Sequence, residues 1–152
     1  MNSSNKIAVI GVGNTLRNDD GIGAYICSQI DALHLQHVTT IIVQQLQVEI
    51  IEELLCYDAV IIADASVGKN EVEFNLLMHD ETQAASSSHH TNANMLYALA
   101  EKMYHKKMLI YLCAVPAENF EMGETLSQQA IINAKKAINL IQMQLKLLTI
   151  DN

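Results

Sequence analysis

The chain has little of what several classes of protein require. Its 152 residues include no Trp, one Pro and three Cys, and nine Lys and Arg against seventeen Asp and Glu give a net charge of −8. Nucleic-acid binding needs clustered cations, so this charge argues against DNA or RNA as a partner. The odd number and wide spacing of Cys27, Cys56 and Cys113 argue against disulfides, and we interpret them as small core residues.

Long apolar runs are also missing. No run approaches the roughly 20 residues that a membrane-spanning helix needs. Residues 1–6 lead directly into a predicted strand rather than into the apolar segment of a signal peptide. We therefore expect a cytoplasmic protein with no membrane partner. The length predicts a single domain over residues 1–152, and the 50% hydrophobic content with few aromatic residues predicts an aliphatic core.

A glycine-rich turn follows the first predicted strand, and it resembles a dinucleotide-binding turn only in part. Gly11 and Gly13 bracket the turn, but Leu16 occupies the position where a third small residue is needed. The turn is followed by Asp19 and Asp20, which would repel a phosphate, and no P-loop Lys follows. Nucleotide or phosphate binding is therefore the weaker alternative, and the two acids carry the chemical interest.

Strand and helix patterns alternate along the chain. The predicted strands are 6–11, 38–43, 59–63, 71–77 and 108–115, and the predicted helices are 20–33, 48–55, 91 or 92 to about 104, and 125–148. The period of two in 71–77 indicates a half-exposed antiparallel strand at an edge. This order predicts the α/β class, as one three-layer domain. A twisted, mostly parallel five-stranded sheet with one antiparallel edge strand carries helices on both faces.

Polar side chains cluster where the predicted parallel strands end, which is where such sheets bind ligands. This rule places six positions at one edge of the sheet: Asn14, Asp19, Asp20, Asp64, Ser66 and the turn at 116–118. The polar segment 79–91, predicted as a loop, carries His89 and His90 but is not placed by the rule.

Two carboxylates and one imidazole suit a divalent transition ion with open coordination positions, and nickel fits mixed oxygen and nitrogen ligands. Zinc would favour closer ligand spacing, and the chain has no H-E-x-x-H motif. Other interpretations remain open: Asp20 suits a helix N-terminus, and a triad of Ser66, His89 and Asp64 is conceivable without a G-x-S-x-G motif.

Four motifs in order along nearly the whole chain resemble the hydrogenase maturation proteases. These are the endopeptidases that trim the large subunit of nickel–iron hydrogenases. The motifs are G-V-G-N-T-L-R-N-D-D-G at 11–21, V-I-I-A-D-A at 60–65, S-S-H at 87–89 and V-P-A-E at 115–118.

The resemblance implies a nickel-contacting set of Asp20, Asp64 and His89, with His90 as the alternative histidine. It implies removal of the C-terminal extension of a nickel-loaded large-subunit precursor, with the nickel supplied by that precursor. The alternative is a non-catalytic, nickel-dependent hydrogenase assembly module on the same fold. We also expect a monomer. Four apolar residues of the last helix could pack internally or at a dimer contact, and we favour internal packing: Leu140, Met143, Leu147 and Leu148.

Two positions depart from the family pattern. Many members have an acidic-Gly-Gly turn after the second strand, where this chain has Gln44-Gln45-Leu46-Gln47. The metal-contacting acid is often Glu, whereas Asp20 is one methylene shorter. The first departure bears on which large subunit is recognised, and the second shortens the reach of the ligand.

Overall fold

Strands and helices alternate in the computed structural model, which describes residues 5–78 and 88–149, with the backbone alone at 88–91. The strands are β1 (Ile7–Val12), β2 (Val38–Val43), β3 (Ala59–Ser66), β4 (Glu73–Leu76) and β5 (Leu109–Pro116). The helices are α1 (Ile22–Asp31), α2 (Ile51–Leu54), α3 (Ser88–Tyr104) and α4 (Gln128–Thr149).

The strands form one sheet in the order β2-β1-β3-β5-β4. Neighbours are parallel except β4, which runs antiparallel to β5 at the edge. The predicted α/β class and the antiparallel edge strand are therefore confirmed, although β4 is shorter than the predicted 71–77. Within the described residues, no helix is long and apolar enough to cross a membrane.

Both faces of the sheet are covered, which explains why β1 has no polar alternation. Every residue of β1 is buried. Its Ile7 and Val9 pack in a cluster with buried residues of α1 and α4, whereas Ala8 and Ile10 pack in a second cluster with residues of α2 and α3. The α4 stripe that enters the first cluster is Ala130, Ala134, Ala137, Ile141 and Leu145.

Several predicted boundaries are wrong, and two of them matter for the site. β3 continues to Ser66, so Asp64 lies inside the strand rather than just after it. α3 begins at Ser88, so His89 and His90 lie in its first turn and not in a loop. The remainder of the predicted loop, 79–87, lies outside the described residues.

A 3-10 turn, Asn18–Gly21, precedes α1 and delays its start to Ile22. The helix also ends at Asp31, so Leu33 is 44% exposed instead of extending the apolar stripe.

The outer face of α4 carries exposed apolar side chains. Met143 and Leu147 are 64% and 66% exposed and Leu140 is 36% exposed, so the prediction that they pack internally is wrong. The buried stripe of α4 takes other helical positions, which turns these three toward solvent. Leu148 packs partly against the core, as predicted. Met95 is similarly exposed, because Ala93, Leu96 and Ala100 form the buried stripe of α3.

Gly23 provides the close contact between helix and strand that Leu16 could not. A Cβ at Gly23 would lie 2.6 Å from the Val12 nitrogen and 2.9 Å from the Ala63 oxygen. The first turn of α1 therefore packs directly on the backbones of β1 and β3, at the edge where Asp64 lies.

Replacing Gly23 with Ala should lower the free energy of unfolding by about 3 kcal/mol, because backbone atoms of two central strands cannot move aside. Urea denaturation measures this. The control is Gly68→Ala, where a Cβ meets nothing within 4 Å and only the positive φ of +80° opposes it. We expect the control to cost about 1 kcal/mol; equal losses in the two variants would refute the close contact.

Candidate functional site

The turn after β1 folds Asp20 back onto the end of the strand. The Asn14 amide donates to Asp20 Oδ2 at 2.8 Å, and the Leu16 amide donates to Asn14 Oδ1 at 2.9 Å. Gly13 has a φ of +144°, and a Cβ there would overlap the carbonyl oxygen of Asp20. The tight turn therefore needs glycine at this position, and it holds a partly exposed carboxylate at the edge of the sheet.

Asp64 lies beside the same end of β1. In the parallel pairing of β1 with β3, Asp64 is the partner of Val12, two residues before Asn14. Along β3, Val60 and Ile62 pack on the face covered by α2 and α3, so alternation places the partly buried Asp64 on that face. The structure thus places both Asp20 and Asp64 at the carboxyl ends of β1 and β3.

The N-terminal end of α3 reaches the same edge. Asn92, in the first turns of α3, donates through Nδ2 to the carbonyl oxygen of Leu46 at 2.5 Å. Leu46 lies in the segment that follows β2, so α3 starts where the parallel strands end. His89 precedes Asn92 by three residues on this helix.

The side chains of His89 and His90 are outside the described set, so the choice between the two histidines stays a prediction. Among the side chains that the structure does describe, no group of three His, Cys, Asp or Glu residues is arranged to hold a metal ion. Of the three residues predicted to contact nickel, Asp20 and Asp64 are the two whose side chains the structure describes.

An open groove of about 720 Å³ begins at Asp20 and follows the end of β2. Its lining is mainly polar: Gly13, Asn14, Arg17, Asp20, Val43, Gln44, Gln45 and Gln47. The glutamines at the position of the family departure, Gln44, Gln45 and Gln47, thus line the groove together with Asp20.

Asp19 points the other way, into the protein, and is completely buried. Ser127 donates to it through both its amide, at 2.7 Å, and its hydroxyl, at 2.8 Å. The amides of Glu118 and Asn119 donate to Asp19 Oδ2 at 3.1 Å each. Burial by itself would raise the pKa of this carboxyl, but these hydrogen bonds outweigh that effect and hold the pKa below its ordinary value.

The residues before Asp19 bind the same loop, residues 117–127, which connects β5 to α4. The Asn18 amide donates to the Gly123 oxygen at 2.7 Å, and its Nδ2 donates to the Glu121 oxygen at 2.9 Å. The Arg17 Nε donates to the Phe120 oxygen at 3.0 Å. The β5–α4 loop is therefore tied to the turn that carries Asp20 by backbone and side-chain hydrogen bonds together.

Ser127 and Asn133 are structural residues that the sequence reasoning missed. Ser127 Oγ accepts a hydrogen bond from the Ala130 amide at 3.1 Å, which makes Ser127 the N-cap of α4. Asn133, buried in α4, donates to the Pro116 oxygen at 3.1 Å at the end of β5. The cap has a sequence signal, a Ser just before the apolar stripe of the helix, whereas Asn133 has none.

No protein-family model matches the chain, and no curated protein matches it in sequence. Solved structures do. The hydrogenase maturating endopeptidase HybD from E. coli is similar with a TM-score of 0.72 and 22% identity, over 93% of this chain and 92% of that chain. The nickel–iron hydrogenase maturation protease HycI from Thermococcus kodakarensis has a TM-score of 0.70 and 19% identity, over 95% and 94% of the two chains.

A hydrogenase 2 maturation peptidase from a Thaumarchaeota archaeon is similar as well, with a TM-score of 0.70 and 18% identity, over 93% of this chain and 99% of that chain. These identities are low, but the coverage is nearly complete in both directions. The likeness found in the sequence motifs therefore extends to the whole fold: this chain has the fold of the hydrogenase maturation endopeptidases.

Proposed function

We propose that this protein is an endopeptidase that removes the C-terminal extension of a nickel–iron hydrogenase large-subunit precursor after nickel has been inserted. In this proposal Asp20, Asp64 and His89 contact the nickel held by the precursor, with His90 as the alternative to His89. The observation that carries the proposal is the pair of carboxylates at the carboxyl ends of β1 and β3, with Asp20 lining an open groove, on the fold of the maturation endopeptidases.

The groove has the chemistry expected for a peptide segment. A carboxamide offers both a donor and an acceptor, as a peptide group does, and Asn14, Gln44, Gln45 and Gln47 all line the groove. Its open, mainly polar form differs from the enclosed apolar pockets that bind small ligands. An extended tail lying along these amides would pass Asp20 on its way to the edge of the sheet.

The nickel belongs to the substrate in this account. Asp20 and Asp64 are partly exposed, so their oxygens can approach a cation held in another protein. Carboxylate oxygens with an imidazole nitrogen suit a divalent transition ion that keeps other ligands of its own. A precursor without nickel offers these carboxylates no cation, so it docks weakly and is not cut prematurely.

Hydrolysis needs a water that is activated close to the scissile peptide bond. A divalent metal lowers the pKa of a water bound to it, and a carboxylate can take the proton of the attacking water as a general base. The proton then passes to the leaving amine. Both routes use the carboxylate edge formed by Asp20 and Asp64, and the groove holds the tail beside it.

The experiment that tests the proposal is an intact-mass measurement of a nickel-loaded precursor after incubation with this protein. Loss of one C-terminal peptide is the expected result. An unchanged precursor in a stable, nickel-dependent complex would overturn the peptidase and favour the alternative, a non-catalytic assembly module.

Thiol chemistry has no part in this mechanism. Burial raises the pKa of Cys27 to about 11 and that of Cys113 to about 12, so neither is a nucleophile near neutral pH. Cys56 is exposed, contrary to the prediction of a core position.

Iodoacetamide at pH 8 should therefore label the folded protein once, at Cys56, and leave cleavage unchanged. Peptide mapping after labelling, together with a cleavage assay, checks both expectations. Inactivation by labelling, or rapid modification of Cys27, would contradict them.

A further inference from the structure

Asp19 is held by the β5–α4 loop through both its carboxylate and its backbone amide. Its carboxylate accepts four hydrogen bonds from Glu118, Asn119 and Ser127, and its own amide donates to the Asn119 oxygen at 2.8 Å. An acid at a helix N-terminus typically accepts one amide hydrogen bond and interacts favourably with the helix dipole, so four donors exceed what that position requires.

The loop itself has a fixed base. Asn133 holds the last carbonyl of β5, and the Ala117 amide donates to the Ser66 oxygen at 3.0 Å at the end of β3. At the other end, Ser127 caps α4 while its hydroxyl binds Asp19. The loop is thus joined to β3, β5 and α4 before it reaches the turn at Asp19.

Asp20 has two anchors as a result. Its carboxylate is bound by the Asn14 amide, and its backbone amide donates to the Arg17 oxygen at 3.0 Å within the 3-10 turn. That turn is fixed on its other side by the hydrogen bonds of Asn18 and Asp19 to the loop. Release of Asp19 would leave the Asp20 carboxylate held by the Asn14 amide, and the turn joined to the loop through Arg17 and Asn18 without its buried anchor.

We infer that Asp19 is a positioning residue: through the β5–α4 loop it fixes the direction in which Asp20 presents its carboxylate to the groove. The role of Asp20 in this inference rests on the proposed function. The geometric part, that Asp19 holds the turn that carries Asp20, does not depend on it. The two acids therefore have different roles: the buried, fully hydrogen-bonded Asp19 anchors the turn, and the partly exposed Asp20 is the functional group. A substrate that must be cut at one bond benefits from such a rigid site.

Amide hydrogen exchange tests the geometric part without any substrate. In Asp19→Asn, the new NH₂ group cannot accept from the donors that face it, so the turn should loosen. We expect exchange of the Asn14 amide to become at least tenfold faster relative to the Ile10 amide in the core of β1. The control is Leu145→Ala, which removes a buried side chain at the far end of α4. Equal acceleration at Asn14 in both variants would overturn the inference.

Cleavage of the nickel-loaded precursor tests the consequence. Per folded molecule, kcat/KM should fall at least tenfold in Asp19→Asn and stay within twofold of wild type in Leu145→Ala. Ser127→Ala should lower kcat/KM in the same way as Asp19→Asn but to a smaller degree. Ser127→Thr, which keeps the hydroxyl, should cleave at close to the wild-type kcat/KM. Full cleavage by Asp19→Asn would overturn the inference. If the wild type does not cleave at all, the proposed function fails, while the exchange result still decides the positioning role.

Discussion

The Asp64→Asn variant should lose precursor cleavage by roughly 10³-fold or more while remaining folded. Asn has the shape of Asp but no charge, so it cannot attract the cation or take a proton. Asp64 is partly exposed near the end of β3, so the substitution of Asn for Asp should change the free energy of unfolding by less than about 1 kcal/mol. Initial cleavage rates and urea denaturation of the same preparation measure the two effects.

Asp31→Asn is the matched control for this variant. Asp31 is the last residue of α1 and is exposed, and the substitution is chemically the same. It should cleave at the wild-type rate. If Asp64→Asn also processes the precursor normally, the assignment of the carboxylate edge is wrong.

The second large effect is on stability. Asp19→Ala should lower the free energy of unfolding by about 4 kcal/mol at pH 7, because it leaves the donors of Glu118, Asn119 and Ser127 without their acceptor in a buried place. Asp20→Ala, next to it, removes one hydrogen bond from a partly exposed site and should cost about 1 kcal/mol. Similar losses in the two variants would contradict the division of the pair.

The contribution of Asp19 should also depend on pH. The pKa of Asp19 is lower in the folded protein than in the unfolded chain, so its ionised form stabilises the fold. This stabilisation is fully present above the unfolded value of about 3.9 and is lost as the pH falls through the folded pKa. The stability gap between wild type and Asp19→Ala should therefore be constant between pH 5 and pH 7 and shrink below about pH 4. A gap that widens on acidification would refute the sign of the shift.

The fold could be predicted from the sequence because its signals are local. The unbroken apolar runs of β1 and β3 predict strands covered on both faces, and the alternation around Phe74 predicts an exposed edge strand. The rule that ligands bind at the carboxyl ends of parallel strands then predicts that Asp20 and Asp64 lie at one edge of the sheet, where the structure has both.

The long-range contacts of the site could not be predicted. Asp19 and Ser127 are 108 residues apart, and no composition or period links them. The start of α3 was also missed, because Ser88, His89 and His90 have weak helix propensity and follow a Ser-rich segment. Their position in a helix matters, because the next turn of this helix binds Leu46, so the helix begins near the edge that holds the carboxylates.

The central claim, that nickel in the precursor is recognised by the carboxylate edge and licenses cleavage, can be tested with two samples of one precursor. One sample is loaded with nickel and the other is nickel-free, and each is incubated with this protein and followed by intact mass. The account predicts loss of a single C-terminal peptide from the loaded sample and an unchanged mass in the other. Equal cleavage of both samples, or of neither, would contradict it.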